Sequence, residues 1–398
     1  RLSGPRSLEI AAKTFRPLGP KALTDHAPRT LVYGDLLDEG GEPIDRCLCT
    51  FSRGPQSYTG EDTAEFQCHG SPMVLSLGLE ALFALGARQA GPGEFTRRAF
   101  LNGQLDLAQA EAVGDLLEAR GREGARHAAG QLSGALSRRI GDIYSALVDV
   151  MAHFHAVLDY PDEDIDPFRL EELSHTLVEQ EGALDHLLST CRRGRQVTRG
   201  ISCALVGRPN AGKSSLLNAL AGYDRAIVTD IPGTTRDTLE VNVELGGVPV
   251  RLIDTAGLRE SDDPIERLGV ERSRKAAETA DLVIAVADGS QTPPTVDEDI
   301  LSLSAQAPHW ILAVSKDDLN PAVKTAVWQL PKGLREPDAL VSFNSVAPGG
   351  LDLLVDAVQS CFPAGTPADA GSLLTNARQE SAVRRSLEAV RRALSALD

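Results

Sequence analysis

The chain has 398 residues, too many for one ordinary domain, so two or three domains are expected. Its 42% hydrophobic and 24% charged residues are typical of a soluble globular protein, and its apolar runs are too short to cross a membrane. The formal net charge of −16 argues against a general nucleic-acid coat, so any RNA contact needs a local basic patch.

The first hundred residues predict a small α/β domain. Strands are expected at 31–36, 44–49 and 58–69, with a turn between the first two, and a helix at 73–85. Cys47 and Cys49 alternate on one strand face. The six cysteines of the chain include no CxxC pair, so we favour core thiols in a reducing cytoplasm over zinc ligands or disulfides.

The rest of the chain predicts a helical domain with an inserted α/β domain. Residues from about 104 to 198 are rich in Ala, Leu, Glu and Arg with few helix breakers. Strands and helices then alternate, which predicts a doubly wound, mostly parallel sheet. Its strands are expected at 201–206, 239–245, 248–253, 282–287, 310–314 and 340–343. Gly246-Gly247 is a hairpin turn, so one pair is antiparallel.

A helix returns after a linker rich in Pro, Gly and Ala. Its apolar residues form one stripe: Val383, Leu387, Val390, Leu394 and Leu397. A single amphipathic helix needs a surface to pack on, so we expect it to dock on the earlier helices. The fold class is therefore multidomain α/β plus all-α. The predicted domains are 1–102 (α/β), 103–199 (helical), 200–365 (inserted) and 366–398 (helical return).

A phosphate-binding loop follows the run Ile201–Val206. Gly207, Gly212, Lys213 and Ser214 fit GxxxxGK[ST], between a predicted strand and a predicted helix. In this geometry backbone N–H groups surround a phosphate at the positive end of a helix, with the lysine as a point charge and the serine on magnesium. A chance glycine-rich turn is the alternative, and the strand and helix context argues against it.

Two further stretches point to a nucleotide hydrolase. The loop 233–237 precedes a strand, and Asp254 begins Asp-Thr-Ala-Gly at the end of the next strand. In P-loop hydrolases a loop threonine and a strand-terminal aspartate hold magnesium. Leu258 stands where a Ras-type enzyme has its water-orienting glutamine, so another group must orient the water. The candidates, or else parts of a solvated acidic loop, are Glu260, Asp262, Asp263 and Glu266.

The base-recognition motif is Ser315-Lys316-Asp317-Asp318 after a strand. In the NKxD pattern the aspartate accepts hydrogen bonds from guanine N1 and the 2-amino group, which Asp318 retains. Ser315 replaces the usual asparagine and loses about 1 kcal/mol of hydrogen bonding, so a somewhat weaker guanine affinity is expected. Asn344-Ser345-Val346 is the expected last guanine-contacting stretch.

The motifs at 207–214, 233–237 and 254–259 resemble the Era/TrmE-type GTPases. Those at 58–62, 69–70, 92–100 and 105–112 resemble one family only, the tRNA-modification GTPases of the MnmE (TrmE) type. The resemblance covers nearly the whole chain, including the inserted domain. The positions that match GTP-binding residues are Asn210, Ala211, Gly212, Lys213, Ser214, Ser215, Thr229, Asp230, Ile231, Pro232, Gly233, Thr234, Thr235, Asp254, Thr255, Ala256, Gly257, Ser315, Lys316 and Asp318.

The resemblance also implies ions and catalytic groups. Ser214 and Thr235 match magnesium ligands. Asn210, Thr229, Ile231 and Thr234 match positions that hold a potassium ion, whose charge replaces that of an arginine finger. Glu266 matches the glutamate that orients the hydrolytic water, and it joins Lys213 and Thr235 as the expected catalytic residues. G domains of this family are expected to dimerise across the nucleotide.

The N-terminal domain of this family supplies a one-carbon unit from 5-formyl- or 5,10-methylene-tetrahydrofolate. Arg1 and Glu65 match folate-contacting positions, where a carboxylate suits the adjacent N–H donors of the pterin. Gln104 stands where the family usually has lysine, so a weaker folate affinity is expected. The chain stops at Asp398 without the family's Cys-x-Gly-Lys tail, and Arg1 is not an initiator methionine. A fragment lacking both ends is therefore expected.

The function implied is that of a potassium-stimulated, cytoplasmic GTPase that pairs with the FAD protein MnmG and acts on the wobble uridine of tRNA. A ribosome-assembly GTPase and a catalytically weak scaffold are the alternatives. The arginine pairs at 192–193, 384–385 and 391–392 can contact tRNA phosphates, although we favour solvated helix surface.

Overall fold

The computed structural model describes residues 1–119, 121–159, 170–222, 240–254, 274–290, 297–316, 318–319, 330–331, 333–347, 349–363 and 371–397. The chain divides into two compact units. Unit 1 comprises Arg1–Gly114 and Leu132–Ser137, and unit 2 comprises Asp115–Gln131 and Arg138–Asp398. The four finer domain ranges expected from the sequence stay predictions.

Unit 1 contains a five-stranded antiparallel sheet. Its strands are β1 (Leu2–Ser3), β2 (Phe15–Pro17), β3 (Val32–Leu37), β4 (Pro43–Ser52) and β5 (Thr63–Gln67), in the spatial order β1-β5-β4-β3-β2. Its helices include α1 (Ser7–Thr14), α2 (Pro72–Ala84) and α3 (Glu94–Leu101), and Leu23–Asp25 form a 3-10 turn. The helix expected at 73–85 is confirmed as α2, which begins with a proline at its first position, where no N–H is needed.

One face of this sheet forms the core of unit 1. Along β4, Cys47, Cys49 and Phe51 are buried while the residues between them are more accessible, because successive side chains point to opposite faces. The predicted strand at 58–69 is too long, since β5 begins only at Thr63. Gly60 has a φ of +75° in the preceding loop, a conformation that a strand does not allow.

The helical segment predicted at 104–198 is confirmed. It contains α4 (Leu107–Glu118), α5 (Arg122–Leu132), α6 (Ala135–Asp159), α7 (Leu170–Ser189) and α8 (Cys191–Arg199). None of the helices in the described part of the chain has both the length and the apolar character needed to cross a bilayer.

The chain returns to these helices at its end, as the apolar stripe predicted. Helix α13 (Ala377–Ser395) is capped by Asn376, whose side chain accepts a hydrogen bond from the Gln379 N–H, and it packs chiefly against α7. Val383, Leu387 and Val390 are buried. The segment before α13 is fixed by buried polar side chains, since the Leu373 N–H donates to His127 Nε2 at 3.1 Å and Gln131 donates to the Leu373 carbonyl at 2.8 Å.

Between α8 and α13 lies a six-stranded, mostly parallel sheet. Its strands are β6 (Ile201–Gly207), β7 (Glu240–Leu245), β8 (Val248–Asp254), β9 (Leu282–Asp288), β10 (His309–Ser315) and β11 (Ala339–Ser342). The spatial order is β11-β10-β9-β6-β8-β7, and only β7 and β8 pair antiparallel, through the predicted turn at Gly246-Gly247. The accompanying helices are α9 (Lys213–Gly222), α10 (described over 274–279), α11 (Glu298–Ser304) and α12 (Asp352–Cys361).

Both faces of this sheet are covered. Alternate residues of β6 belong to two different hydrophobic clusters, with Leu205 in one and Ala204 in the other. Strands buried on both faces are near-continuous apolar runs, which is the pattern of β6, β9 and β10. In such a sheet the loops after the strands are the free positions for a ligand.

Candidate functional site

The predicted phosphate loop connects β6 to α9. Gly207 lies so close to β9 that a Cβ atom there would be 2.5 Å from the Val286 carbonyl oxygen, so only glycine allows this start of the loop. Asn210 is exposed, with a φ of +60°. The loop therefore projects from the carboxyl end of β6 toward solvent, with the N-terminus of a helix beneath it.

Lys213 spans the mouth of this loop. Its Nζ donates to the carbonyl oxygens of Gly207 and Arg208, each at 2.7 Å. Ser214 and Ser215 are exposed in the first turn of α9, whereas Leu216 and Leu217 are buried. The ammonium group and the serine hydroxyls thus lie at the same open end of the helix, where an anion is stabilised by the free N–H groups.

The end of β10 completes the site. Ser315 is buried, and its hydroxyl oxygen lies 2.6 Å from the Ala211 carbonyl and 3.0 Å from the Ala287 carbonyl. Its one proton can be donated to either carbonyl, so Ser315 links the phosphate loop to β9. Lys316 Nζ donates to the Asn210 carbonyl at 3.1 Å. Asp318 is exposed in the turn that follows. The structure therefore brings together the phosphate loop and the base-recognition motif.

A second group of motif residues meets in unit 1, around Arg1. Arg1 Nε lies 2.7 Å from Glu65 Oε1, and its guanidinium lies over the Tyr58 ring at 5.0 Å and the Phe95 ring at 5.7 Å from the ring centroids. Gln104 packs against Gly60, where a Cβ atom would lie 3.2 Å from Gln104 Cγ. Two of the three residues predicted to bind folate, Arg1 and Glu65, are thus paired with each other, and the third is Gln104.

Contacts between motifs distant in sequence hold this group. The Tyr58 hydroxyl lies 3.1 Å from Thr96 Oγ1, and Arg98 donates to Glu61 at 2.8 Å. Asn102 donates to the Thr59 carbonyl at 2.7 Å. Beside the group is a cavity of about 430 Å³, lined in part by Arg1, Arg6, Arg88, Phe95 and Arg98. Glu94 also lines the cavity and pairs with Arg88 and Arg98, so the lining carries charges of both signs.

Two family models match successive parts of the chain. One, described as the GTP-binding protein TrmE N-terminus, matches residues 1–104, and the other, the MnmE helical domain, matches residues 107–398. The chain belongs to the MnmE family. The resemblance seen in the motifs is therefore confirmed over the helical as well as the N-terminal segment.

Curated relatives agree with this family. The chain is 43% identical to the tRNA modification GTPase MnmE of Roseiflexus sp. (strain RS-1), over 99% of this chain and 85% of that protein. It is 44% identical to a protein of the same name from Thermus thermophilus, again over 99% and 85%. Among solved structures, Era in complex with MgGDPNP and 16S ribosomal RNA nucleotides is 28% identical over 42% of this chain and 58% of that chain, with a TM-score of 0.32.

Part of the expected MnmE-type site lies outside the described residues. This applies to Thr229, Asp230, Ile231, Pro232, Gly233, Thr234, Thr235, Thr255, Ala256, Gly257, Leu258, Glu260, Asp262, Asp263 and Glu266. Asp254 ends β8, and its side chain is likewise not described.

The stretch expected to contact guanine last, Asn344-Ser345-Val346, forms a turn. The Asn344 Oδ1 accepts hydrogen bonds from the Val346 and Ala347 N–H groups at 2.9 and 3.2 Å.

Three acidic or basic residues of the site were missed by the sequence reasoning. Asp288 ends β9, and its Oδ2 lies 2.6 Å from Lys316 Nζ. Burial raises the pKa of Asp288, but hydrogen bonds from Lys316 and Ser290 outweigh it and leave the pKa below its ordinary value. Arg208 of the phosphate loop forms an ion pair with Asp297 before α11. The position of Asp288 at the end of a buried strand was a signal available in the sequence.

The arginine pairs lie on α8 and α13, and each pair has one member near a carboxylate. Arg391 donates to Glu181 at 2.6 Å, Arg384 to Glu380 at 2.9 Å and Arg193 to Glu123 at 3.2 Å. One member of each pair is thereby engaged with a carboxylate, which fits the solvated helix surface that we favoured.

Proposed function

We propose that this chain is a potassium-dependent GTPase that acts with an FAD-containing partner of the MnmG type on the wobble uridine of certain tRNAs. The pair would add an aminomethyl or carboxymethylaminomethyl group to C5 of the base, with the one-carbon unit drawn from 5-formyl- or 5,10-methylene-tetrahydrofolate. One observation carries the proposal. In a member of the MnmE family, Lys213, Ser315 and Lys316 all contact the phosphate loop at the carboxyl ends of β6 and β10.

The side chains at these strand ends suit GTP as the bound nucleotide. Lys213 offers its ammonium group to the terminal phosphates, and the N-terminus of α9 offers N–H groups, so both stabilise charge that develops during hydrolysis. Asp318 is exposed, so its carboxylate can accept hydrogen bonds from guanine N1 and the 2-amino group. The short Ser315 side chain is engaged with the loop backbone, so we assign it to positioning the loop rather than to reading the base.

Magnesium and potassium fit the oxygen donors of this loop. The exposed Ser214 hydroxyl, together with Thr235, would hold Mg²⁺, which neutralises phosphate charge when bound. The exposed Asn210 amide would hold K⁺ together with Thr234 and the backbone of Thr229 and Ile231. Glu266 would orient the attacking water, since Leu258 has no polar group to do so.

Folate would bind in unit 1. Glu65 would accept hydrogen bonds from the N–H groups of the pterin. Arg1 would contact the same ligand, and Gln104 would offer a neutral hydrogen-bond donor. GTP hydrolysis would then control the modification reaction rather than perform it. We further propose that two copies associate through their G domains and that the protein works in the cytoplasm, where its tRNA substrate is found.

A comparison of hydrolysis rates in potassium and in sodium tests the ion assignment. We expect faster GTP hydrolysis in K⁺, and we expect Asn210→Ala to remove the difference between the two ions. Asn218→Ala is the matched control, because Asn218 is an exposed amide on α9 away from the loop mouth. Equal wild-type rates in the two salts would contradict the potassium site.

The remaining part of the proposal is tested by the reaction product. Purified protein, an MnmG-type partner, a tetrahydrofolate donor, GTP and unmodified tRNA are incubated together, and the nucleosides are analysed by mass spectrometry. We expect a modified wobble uridine only when all components are present. For Lys213→Ala we expect a loss of hydrolysis of about 10²–10³-fold, as for other removed groups that stabilise developing charge.

A further inference from the structure

An aspartate lies on the core-facing side of the unit 1 sheet, at its rim. Asp45, Cys47 and Cys49 alternate along β4 and therefore share one face, on which the two cysteines are buried. The Asp45 side chain is only 10% exposed. A carboxylate at the edge of an apolar core is costly unless a partner of opposite charge or hydrogen bonds compensate it.

A second thiol, Cys68, faces this row from the residue after β5. Leu48 pairs with Gln67 at the end of the antiparallel ladder, and Cys47 and Cys68 are the next residues along the two segments. The two sulfur atoms lie 4.0 Å apart. A ligand oxygen of Asp45 and both sulfurs lie within 4.8 Å of one another. Two thiols and a carboxylate thus converge on one point at the end of the sheet.

The carboxylate is held in place by the residue after Cys68. The His69 backbone N–H donates to Asp45 Oδ2 at 2.9 Å, and its ring Nδ1 lies 2.8 Å from Asp45 Oδ1. The His69 side chain is 79% exposed whereas Cys47 is buried, so the cluster lies at the rim between the core and solvent. A carboxylate oriented by a histidine in this way is typical of the support that metal ligands receive.

We propose that Asp45, Cys47 and Cys68 bind a single divalent transition metal ion of the zinc class. Zinc–sulfur bonds of about 2.3 Å in a tetrahedral site separate two sulfurs by about 3.8 Å, within a few tenths of an ångström of the separation found here. Thiolate and carboxylate ligands together suit Zn²⁺ rather than Mg²⁺ or Ca²⁺. The solvent-facing side leaves the fourth position to water, with His69 as a positioning residue for Asp45.

Of the clusters found in the described residues, this one suits a cation best. His309, Asp338 and Cys361 also converge in unit 2, but Arg335 Nη1 lies 3.7 Å from Asp338 Oδ2 and already supplies positive charge. The guanidinium of Arg46, the nearest arginine in sequence to the unit 1 cluster, donates to Asp35 at 2.9 Å, while the Arg46 backbone N–H donates to Asp45 Oδ1 at 2.8 Å. The bound metal would join β4 to the residues after β5 and so stabilise the strand that carries Glu65. The proposal does not depend on the GTPase activity.

Titration with cobalt tests the site directly. The full chain, kept reduced with a phosphine, is titrated with Co²⁺, and Zn²⁺ is then measured by competition with a chromophoric chelator. We expect one equivalent to bind with a thiolate-to-cobalt absorption band, and a higher melting temperature of the zinc-loaded protein. Cys68→Ser should lower the affinity by more than about 100-fold, and His69→Ala by about 10–100-fold.

Two variants keep the test decisive. Asp45→Asn retains the shape of the side chain at the sheet rim and should also weaken binding, even if a cysteine variant folds poorly. Cys361→Ser removes a thiol of the other cluster and should leave the stoichiometry and absorption band unchanged. Absence of a thiolate band in the wild type, or its loss in Cys361→Ser alone, would overturn the proposal.

Discussion

The two sheets of this protein differ in how many of their faces are buried. In unit 2, strands β6, β9 and β10 are buried along almost their whole length and separate two hydrophobic clusters. In unit 1, β4 alternates between buried and more accessible residues over a single cluster. Parallel sheets covered by helices show the first pattern, and antiparallel sheets with one free face show the second.

This difference decides at which strand positions charged side chains can lie. A strand with two apolar faces leaves little room for charged side chains, so the charged groups of the candidate site in unit 2 lie at or beyond the strand ends: Lys213 after β6, Asp288 at the end of β9 and Lys316 after β10. A strand with one free face can hold polar groups along its length. In unit 1, Glu65 therefore lies within β5. Asp45 of β4 lies instead at the rim of the core-facing side, where hydrogen bonds from His69 stabilise its carboxylate.

The largest effect on stability is expected in the parallel sheet, which is buried on both faces. Leu205→Ala in β6 empties a site that is 0% exposed, so we expect a loss of about 2–5 kcal/mol in the free energy of unfolding. Tyr33→Ala in β3 is the control, because Tyr33 is 53% exposed on the free face of the unit 1 sheet and should cost about 1 kcal/mol or less. Denaturant unfolding measures both. Equal losses would show that the two sheets do not differ in this way.

A pH-dependent effect is expected in the helices that flank the parallel sheet. Burial lowers the pKa of His127 to about 4 from 6.5, because its ring is enclosed against Leu373. The unfolded chain therefore binds a proton more readily than the folded chain between these values, so stability present above pH 6.5 is lost as the pH falls toward 4. The shift corresponds to about 3 kcal/mol.

The measurement is urea unfolding of the wild type and of His127→Gln between pH 7 and pH 4. Glutamine does not titrate, so the variant should lose less stability over this range than the wild type does. Parallel curves for the two proteins would remove His127 as the cause.

A smaller effect, on nucleotide affinity, is expected at the carboxyl end of β10 in the parallel sheet. Ser315→Ala deletes the hydroxyl that links the Ala211 and Ala287 carbonyls, so guanine nucleotide binding should weaken by about 1 kcal/mol, or roughly fivefold. Ser302→Ala, an exposed serine on α11, is the matched control. Fluorescent GDP titration gives both affinities, and an unchanged affinity of the Ser315 variant would show that the link does not position the loop.

The smallest effect on stability is expected in the antiparallel sheet of unit 1, which is buried on one face. Arg1 and Glu65 form a pair in which each side chain is more than a third exposed, and such pairs contribute about 0–1 kcal/mol. Glu65→Gln should therefore leave the melting temperature nearly unchanged while it weakens binding of 5-formyl-tetrahydrofolate, measured by calorimetry. A large fall in melting temperature with unchanged folate affinity would instead make Glu65 a structural residue.

The sequence by itself indicated most of the elements and the motif residues that we expect to bind the nucleotide. Periodicity is local, so strands β3 to β11 and the stripe of α13 were predicted to within a few residues, apart from the over-long strand at 58–69, where Gly60 turns the chain. The short strands β1 and β2 were not predicted, because two or three residues are too few to show a period, and helix α1 was not predicted either. The loop from Gly207 to Ser214 was recognisable because its spacing alone implies a phosphate.

Only the tertiary structure decided which of these pieces meet. Strand order, the pairing of Lys316 with Asp288, and the use of Ser315 to link the phosphate loop to β9 all join residues far apart in the chain. The convergence of Asp45, Cys47 and Cys68 likewise depends on the register of two strands. Spacing along the sequence carries no record of such contacts, because they are set by the packing of whole elements.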